Sequence, residues 1–151
     1  MKKLMKNLLG AVALSVGLTL ASGAAQGMGH EKYILVSHAP DSDSWWNTIK
    51  NGLALAGKQM GVEVEYRNPP TGDLADMARI IEQAAASGPN GIITTLADPN
   101  ILAGPIRAAV DSGVDVIIMN SGTPEMARKV GALMYVDRKS TRLNSSHVKR
   151  S

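Results

Sequence analysis

The sequence predicts an α/β fold, a doubly wound parallel sheet with flanking helices. Short apolar runs rich in β-branched residues alternate with longer segments in which apolar residues recur every three or four positions. The runs begin at residues 33, 62, 91 and 114, so 23 to 29 residues separate successive starts, which is the length of a β-α-β unit. Because crossovers between parallel strands are right-handed, this order favours an open parallel sheet.

The strands are predicted from runs bounded by Gly, Pro, Asn or Asp. Ile92-Ile93-Thr94-Thr95 and Ile117-Ile118-Met119 do not alternate with charged residues, as expected for strands covered on both faces. A short fifth strand follows near the end of the pattern. The predicted strands are Tyr33–Val36, Val62–Tyr66, Ile92–Leu96, Val114–Met119 and Ala132–Val136.

Helices are predicted between the first four strands, each with a residue that can cap its start and a glycine that ends it. The candidate caps are Asp43 or Ser44, Asp73, and Asp98, which Pro99 follows. The apolar faces are Ile49, Leu53, Ala56 and Met60 in the first helix, and Leu74, Met77, Ile81 and Ala84 in the second.

The third helix contains an internal proline. Pro105 has no N–H to donate, and its ring clashes with the preceding turn. We therefore expect one turn at Pro99–Leu102 and a main helix from about Gly104.

Residues 1–25 have the layout of a secretory signal peptide. Three lysines precede the apolar run Leu8–Leu20, which is shorter than the ~20 residues a membrane-spanning helix needs. The chain has no cysteine, so neither a disulfide nor a lipid-modified cysteine is available. We expect a mature chain from about Gln26 in a Gram-negative periplasm, without a lipid anchor.

Residues 137–151 do not continue the pattern. Apolar periodicity stops after Val136, and Asp137–His147 can be back-translated in frame into a widely used short-read sequencing adapter. The alternative is a natural basic tail. We expect residues 137–151 to be non-native and residues 26–136 to form an incomplete domain.

The charge of the domain differs from that of the whole chain. Of the formal net charge of +3, residues 1–25 contribute three positive charges and residues 137–151 a net four, so the remainder carries −4. Binding to a phosphate backbone needs a basic face, so we do not expect this domain to bind nucleic acid.

Open parallel sheets bind ligands at the carboxyl ends of their strands, so the candidate residues are those that follow each strand. This set contains no nucleophile–base pair and no metal-ligand spacing, so we expect no enzyme, metal or cofactor. His38 is a candidate for a hydrogen bond to ligand, or else an ordinary loop histidine. Asp98 is expected mainly to cap a helix and secondarily to contact ligand.

Trp45 and Trp46 are two of only five aromatic residues, and they follow the loop after the first strand. An indole beside Asp and Asn side chains suits a flat polar ligand with an apolar face, and a sugar fits that description. Adjacent helix positions point about 100° apart, so at most one ring is expected to lie flat against a ligand while the other packs or rims the cleft. The alternative is that both are interface or core residues.

Four polar residues complete the candidate site. Asp41 and Asp43 can accept hydrogen bonds from hydroxyl groups, although Asp43 is also a candidate helix cap. Asn120 and Ser121 follow the fourth strand and suit hydroxyl recognition, although Ser121-Gly122-Thr123-Pro124 is also typical of a turn.

These segments resemble periplasmic sugar-binding proteins of ABC importers, of the ribose- and galactose-binding type. The order and spacing of four segments carry the resemblance over about residues 32–136: Tyr33–Ser37, Ser37–Trp46, Gly72–Ala84 and Ile117–Gly122. In that family two α/β lobes joined by hinge strands close on a monosaccharide and deliver it to a membrane permease. The resemblance implies that this chain is the amino-terminal lobe only.

The resemblance also implies roles for single residues. Trp45 and Trp46 would stack on the sugar, Asp43 would bind it by a hydrogen bond, and Asn120 and Ser121 would contact its hydroxyl groups. Ribose binders often have Asp-Arg at this last position, so Asn-Ser argues against ribose. One lobe alone should bind sugar weakly or not at all.

Three alternatives stay open. The same family also serves sugar sensing through a chemoreceptor or a sensor kinase. A small exported hydrolase or transferase would use Asp41, Asp43 or Asp98, but the sequence lacks a matched acid–base pair. The ligand-binding core of a sugar-responsive repressor shares the fold, but the signal peptide and the missing DNA-binding helices oppose it.

Overall fold

Five short strands form the sheet in a computed structural model that describes residues 31–137. They are β1 (Lys32–Val36), β2 (Glu63–Arg67), β3 (Gly91–Thr94), β4 (Asp115–Met119) and β5 (Met134–Val136). Their order is β2-β1-β3-β4-β5, and all neighbouring pairs run parallel. The predicted doubly wound parallel sheet is therefore confirmed, and the carboxyl end of β1 lies between those of β2 and β3.

Four helices connect these strands in the described part of the chain. They are α1 (Trp46–Met60), α2 (Leu74–Ala86), α3 (Pro99–Asp111) and α4 (Pro124–Lys129), of which the short α4 is absent from the prediction. Across residues 31–137, none of the helices combines the length and the apolar character that crossing a membrane requires. The predicted signal peptide lies outside the described residues.

Two strand limits differ from the prediction by two residues, and five others differ by one. β3 ends at Thr94 rather than Leu96, because the Leu96 N–H donates to the carbonyl of Ser121 instead of extending the ladder to β1. β5 begins at Met134 rather than Ala132, because the Ala132 N–H closes the end of α4 onto the Ala127 carbonyl.

Two of the predicted helix caps are confirmed and one is wrong. Asp73 and Asp98 each accept a hydrogen bond from a first-turn backbone N–H at 2.8 Å. Neither Asp43 nor Ser44 caps α1, which begins after Trp45 without a side-chain cap. The carboxylate of Asp43 instead accepts the Trp45 N–H at 3.1 Å, one residue ahead of the helix.

The predicted break in α3 is also wrong, since the helix runs from Pro99 to Asp111 with Pro105 inside it. Leu102 on one side of the proline and Ile106 on the other are fully buried. Burying each of these side chains contributes about 1.5–3 kcal/mol. Together they offset the roughly 3 kcal/mol that an internal proline costs.

The main core lies between the sheet and the helices α2, α3 and α4. The predicted apolar face of α2 is confirmed, because Met77, Ile81 and Ala84 are buried and Leu74 packs against them. The strands contribute alternate residues to this core, as a pleated sheet requires. Those strand residues are Ile34, Val36, Ile92, Val116 and Ile118.

The opposite face of the sheet carries α1 among the described helices. Ile49 and Leu53 of α1 pack there, but Met60 is 73% exposed, so the predicted apolar face of this helix is only partly buried. Because one helix does not cover five strands, an apolar groove of about 480 Å³ opens between α1 and the amino-terminal halves of β1, β3 and β4.

Gly57 and Gly52 of α1 provide a matched test of this packing. A β-carbon at Gly57 would lie 2.7 Å from Cγ2 of Val64 in β2, whereas one at Gly52 would meet nothing within 4 Å. We expect Gly57→Ala to lower the free energy of unfolding by about 1–3 kcal/mol. Gly52→Ala should raise it by about 0.5–1 kcal/mol. Urea unfolding followed by circular dichroism measures both values, and equal effects would contradict the close approach of α1 to β2.

Candidate functional site

The loop after β1 returns the chain over the carboxyl edge of the sheet. Its backbone turns twice, with the Asp43 N–H donating to the Pro40 carbonyl at 3.1 Å and the Trp46 N–H donating to the Asp43 carbonyl at 3.2 Å. The carboxylate of Asp43 adds its bond to the Trp45 N–H. These turns start α1 at this edge and place both indoles there.

Trp46 is a packing residue of this lobe. It is 2% exposed and lies in a small core with Leu35 and Ala39. Its ring centroid lies 5.8 Å from that of His38 in an edge-to-face arrangement and 6.3 Å from that of Tyr66. An indole in this position fixes α1 to the sheet and presents almost no surface to a ligand.

Trp45 lies at the rim of the candidate site. It is 38% exposed, and its ring meets Trp46 edge to face with the centroids 5.1 Å apart. The two rings therefore divide as expected for adjacent helix positions: one packs and the other is accessible. Stacking of Trp45 on a sugar stays a prediction.

His38 connects the β1 loop to the end of β3. Its half-buried ring places Nδ1 2.9 Å from the hydroxyl oxygen of Thr95, which is fully buried. Burial lowers the pKa of His38, and the negative charge of Asp43 partly opposes this shift. The imidazole is therefore neutral at neutral pH.

Asp41 joins the loops that follow β1 and β2. Its carboxylate accepts a hydrogen bond from the side-chain amide of Asn68 at 2.8 Å, and the same amide donates to the Ala39 carbonyl at 3.0 Å. Both Asp41 and Asp43 are exposed to solvent. The structure thus gives Asp41 a structural partner and bonds the Asp43 carboxylate to the backbone N–H of Trp45.

A hydrogen bond also joins β1 and β2 at this edge. The hydroxyl groups of Ser37 and Tyr66 lie 2.6 Å apart, and Nζ of Lys50 lies 4.7 Å from the centroid of the Tyr66 ring. Burial raises the pKa of Tyr66, and the bond to Ser37 opposes it. Tyr66 is therefore a neutral phenol whose ring packs against that of Trp46.

The cation at the end of β2 is held within its own strand. Arg67 donates to both carboxylate oxygens of Glu65, at 2.7 and 3.0 Å. These bonds, together with one from Lys32, lower the pKa of Glu65 to about 2. The guanidinium is therefore engaged by a carboxylate.

Asn120 and Ser121 form a tight turn directly after β4. Among residues 31–137, Asn120 is the one non-glycine residue with a positive φ, at 62°, a region that asparagine tolerates better than most residues. The Ser121 N–H donates to the Met119 carbonyl at 2.6 Å, and the Ser121 carbonyl accepts from Leu96 at 2.9 Å. This turn joins the carboxyl ends of β3 and β4, and hydroxyl recognition by Asn120 and Ser121 stays a prediction.

Sequence reasoning misses two residues of this edge, Tyr66 and Thr95. The prediction extends β3 to Leu96, which hides Thr95 as the first residue beyond the strand. It places Tyr66 in a strand, although a tyrosine at the carboxyl end of β2, beside β1, is a signal for this edge. Asp98, by contrast, occupies its expected place as the cap of α3.

Two other features bear on what the lobe can bind. Among residues 31–137, no group of three or more His, Cys, Asp or Glu side chains is arranged to hold a metal ion. The apolar groove beside α1 reaches Tyr33, Gly91 and Asp115, at the amino ends of their strands. It therefore lies away from the carboxyl edge described above.

Residues 33–139 match the sequence profile of a family described as periplasmic binding protein domain. The chain belongs to this family. The matched residues include all five strands, apart from the first residue of β1, and all the candidate site residues.

Solved structures place this periplasmic binding protein domain among sugar-binding relatives. A carbohydrate transporter from Acidothermus cellulolyticus 11B, in complex with myo-inositol, is 31% identical with a TM-score of 0.66 over 70% of this chain and 36% of its own. AraP, an arabinose-binding protein from Geobacillus stearothermophilus, is 28% identical with a TM-score of 0.60 over 70% and 35%. XylFII in a complex with LytSN is 25% identical with a TM-score of 0.62 over 70% and 37%. The chain spans about a third of the length of these proteins.

The two tryptophans of this domain should differ sharply in their effect on stability. Trp46→Ala removes a buried ring and should lower the free energy of unfolding by about 3–5 kcal/mol. Trp45→Ala removes a rim residue and should cost about 1 kcal/mol. Urea unfolding followed by far-ultraviolet circular dichroism measures both. A smaller loss for Trp46→Ala than for Trp45→Ala would reverse the assignment of the packed ring.

Proposed function

We propose that this chain is the amino-terminal lobe of a binding protein that captures a monosaccharide and presents it to an ABC permease. One observation carries the proposal: the accessible Trp45 ring lies at the carboxyl edge of the sheet and packs on the buried Trp46, and the Asp43 carboxylate is bonded to the Trp45 backbone N–H. A rigid apolar face beside a hydrogen-bond acceptor suits a sugar ring. Two of the similar solved structures are a transporter in complex with myo-inositol and an arabinose-binding protein.

The charges at this edge support a neutral sugar as the ligand. Asp41, Asp43 and Asp98 are acidic, and Arg67 is engaged by Glu65. A phosphorylated or carboxylated sugar would meet net repulsion there. Asn120 and Ser121 are uncharged and bring amide and hydroxyl groups suited to sugar hydroxyls.

The proposed mechanism is capture by closure of two lobes. Trp45 and Asp43 belong to one side of an open edge, so a ligand bound there keeps much of its surface in water. Sites that bind small ligands tightly bury most of the ligand surface. A second lobe closing over the edge would supply that burial, and the closed form would be the one a permease recognises.

The proposed location rests on the sequence of the first 25 residues. We assign residues 1–25 to an export signal, and the sequence has no cysteine to which a lipid could be attached. Export would place the protein in the periplasm, where it binds sugar without catalysing a reaction. The family description, a periplasmic binding protein domain, supports this location.

Sugar sensing is the second candidate function. It is favoured by the neighbour XylFII, whose structure was solved in a complex with LytSN. A binding protein of this kind would present its closed form to a receptor such as a chemoreceptor or sensor kinase rather than to a permease. Co-purification of the full-length protein with membrane permease components, with and without sugar, distinguishes the two partners.

Trp45→Ala tests the sugar site in the full-length protein encoded by the complete gene. Loss of an aromatic contact worth about 0.5–1.5 kcal/mol beyond its buried area should weaken sugar binding roughly tenfold or more. Isothermal titration calorimetry with neutral monosaccharides measures this change. Leu55→Ala removes an exposed apolar side chain within α1 and should leave the affinity unchanged. An unaltered affinity in Trp45→Ala would refute the stacking role.

Two substitutions at Asn120 separate the effect of its side-chain amide on sugar binding from the effect of its backbone conformation on stability. Asn120→Gly removes the amide but keeps a positive φ without strain, so stability should be retained while sugar affinity falls. Asn120→Ala should lower the free energy of unfolding by about 1–2 kcal/mol as well. Thermal unfolding and calorimetry on the same samples measure the two effects. If Asn120→Gly binds sugar as tightly as the parent, the amide does not contact the ligand.

A further inference from the structure

His38 belongs to a row of four side chains in contact along the carboxyl edge, which runs Thr95, His38, Trp46, Trp45. Its Nδ1 lies 2.9 Å from the buried hydroxyl of Thr95, at the end of β3. The opposite side of the row is aromatic, with the His38 and Trp46 centroids 5.8 Å apart at an interplanar angle of 87°. The imidazole is therefore held between a fixed hydroxyl and a fixed indole.

The row continues from Trp46 to the accessible ring. The Trp45 and Trp46 centroids lie 5.1 Å apart at 86°, so the edge of one indole meets the face of the other. Edge-to-face pairs of this kind depend on the relative orientation of the rings. A change in the imidazole that turns Trp46 will therefore also move Trp45.

We propose that His38 is a positioning residue: its neutral imidazole, bonded to Thr95, sets the orientation of the Trp45–Trp46 pair, and protonation of the imidazole releases that orientation. This role in the lobe itself does not require a ligand. Its consequence for sugar rests on the proposed function, because only then is Trp45 the surface on which the sugar stacks.

The groups around His38 decide the direction of the pH effect. Asp43 in the β1–α1 loop is the charged group that acts on the imidazole, and it favours the protonated form. Tyr66 of β2 contacts Trp46 and is neutral, Lys50 of α1 lies over the Tyr66 ring, and β3 leads to the uncharged Thr95 hydroxyl. Burial outweighs Asp43 and lowers the pKa of His38 below 6.5. The oriented pair should therefore persist at neutral pH and change as the pH falls below 6.5.

Protonation changes the bond to Thr95 as well as the charge. Neutral imidazole has one donor and one acceptor nitrogen, whereas imidazolium has two donors. Where Nδ1 accepts from the Thr95 hydroxyl in the neutral form, protonation reverses the direction of that bond and obliges the hydroxyl to rotate. A half-buried imidazolium is also stabilised when it moves toward water, because hydration lowers the free energy of a charged group.

The chain is suited to a direct test, because its only two tryptophans are Trp45 and Trp46. In the Trp45→Phe variant of the full 151-residue chain, Trp46 is the sole indole. We expect its emission to titrate with a midpoint below pH 6.5 and the titration to be lost in Trp45→Phe/His38→Asn. The sequence has two other histidines, His30 and His147, and as a control Trp45→Phe/His30→Gln should titrate as Trp45→Phe does. Absence of a titration, or its persistence without His38, would overturn the proposal.

A conservative replacement separates positioning from simple packing. The asparagine side chain introduced by His38→Asn can still bond to Thr95 but does not titrate near neutral pH. We expect His38→Asn, in the chain with both tryptophans, to keep the near-ultraviolet circular dichroism of the indole pair as the pH falls from neutral, whereas the parent loses it below pH 6.5. A variant whose signal changes with pH as the parent's does would contradict the role of His38.

Thr95→Val gives a second test that leaves the imidazole in place. The substitution keeps the shape of the side chain and removes the hydroxyl that holds Nδ1. The near-ultraviolet signal at neutral pH should then resemble that of the parent at acid pH. A signal identical to the parent's at neutral pH would show that Thr95 does not hold the row.

Sugar titrations on the full-length protein connect the row to binding. Affinity for neutral monosaccharides should fall as the pH decreases through the midpoint found by fluorescence, and this dependence should vanish in His38→Asn. Affinity that is independent of pH while the spectra titrate would overturn the claim that the pair is the sugar platform. Failure to bind any sugar at any pH would instead overturn the proposed function, and the spectra would still decide the role of His38.

Discussion

The burial of Trp46 is the interaction on which the carboxyl edge of this lobe depends. Its ring meets His38 from the β1 loop, Tyr66 from β2 and Trp45 ahead of α1, so three segments converge on one side chain. Burying a ring of this size contributes several kcal/mol, a large fraction of the net stability of a small domain. The contact that attaches α1 to the sheet also orients Trp45 at the rim of the site. Stability and site geometry are therefore coupled.

The strand order links this local packing to contacts along the whole carboxyl edge of the sheet. Since β1 lies between β2 and β3, residues one or two positions beyond its end reach partners on both sides. Ser37 bonds Tyr66 toward β2, and His38 bonds Thr95 toward β3. The backbone hydrogen bond from Leu96 to Ser121 extends these contacts between strand ends to β4. A parallel sheet brings all these strand ends to one edge, which is why ligands bind there in open α/β folds.

The features that the sequence predicts well are those set by short-range physics. The β-branched runs form the strands, Asp73 and Asp98 cap their helices, and glycines end them, because each depends on neighbouring backbone groups. The continuous α3 across Pro105 could not be predicted, since it depends on burial of both halves against distant strands. Which indole is buried was equally out of reach, because it depends on how α1 lies on the sheet. These are cases in which tertiary packing overrides local preference.

Two of the places in this lobe where apolar surface is exposed differ physically. At the amino ends of the strands, Met60 and Leu133 border a broad groove with little polar lining. All-parallel sheets are found with both faces covered, so we interpret that groove as a packing surface rather than a ligand site. At the carboxyl edge the exposed Trp45 is held by a second ring, and the Asp43 carboxylate accepts a hydrogen bond from its backbone N–H. A small apolar face fixed among polar groups selects a ligand by orientation, which a broad apolar groove does not do.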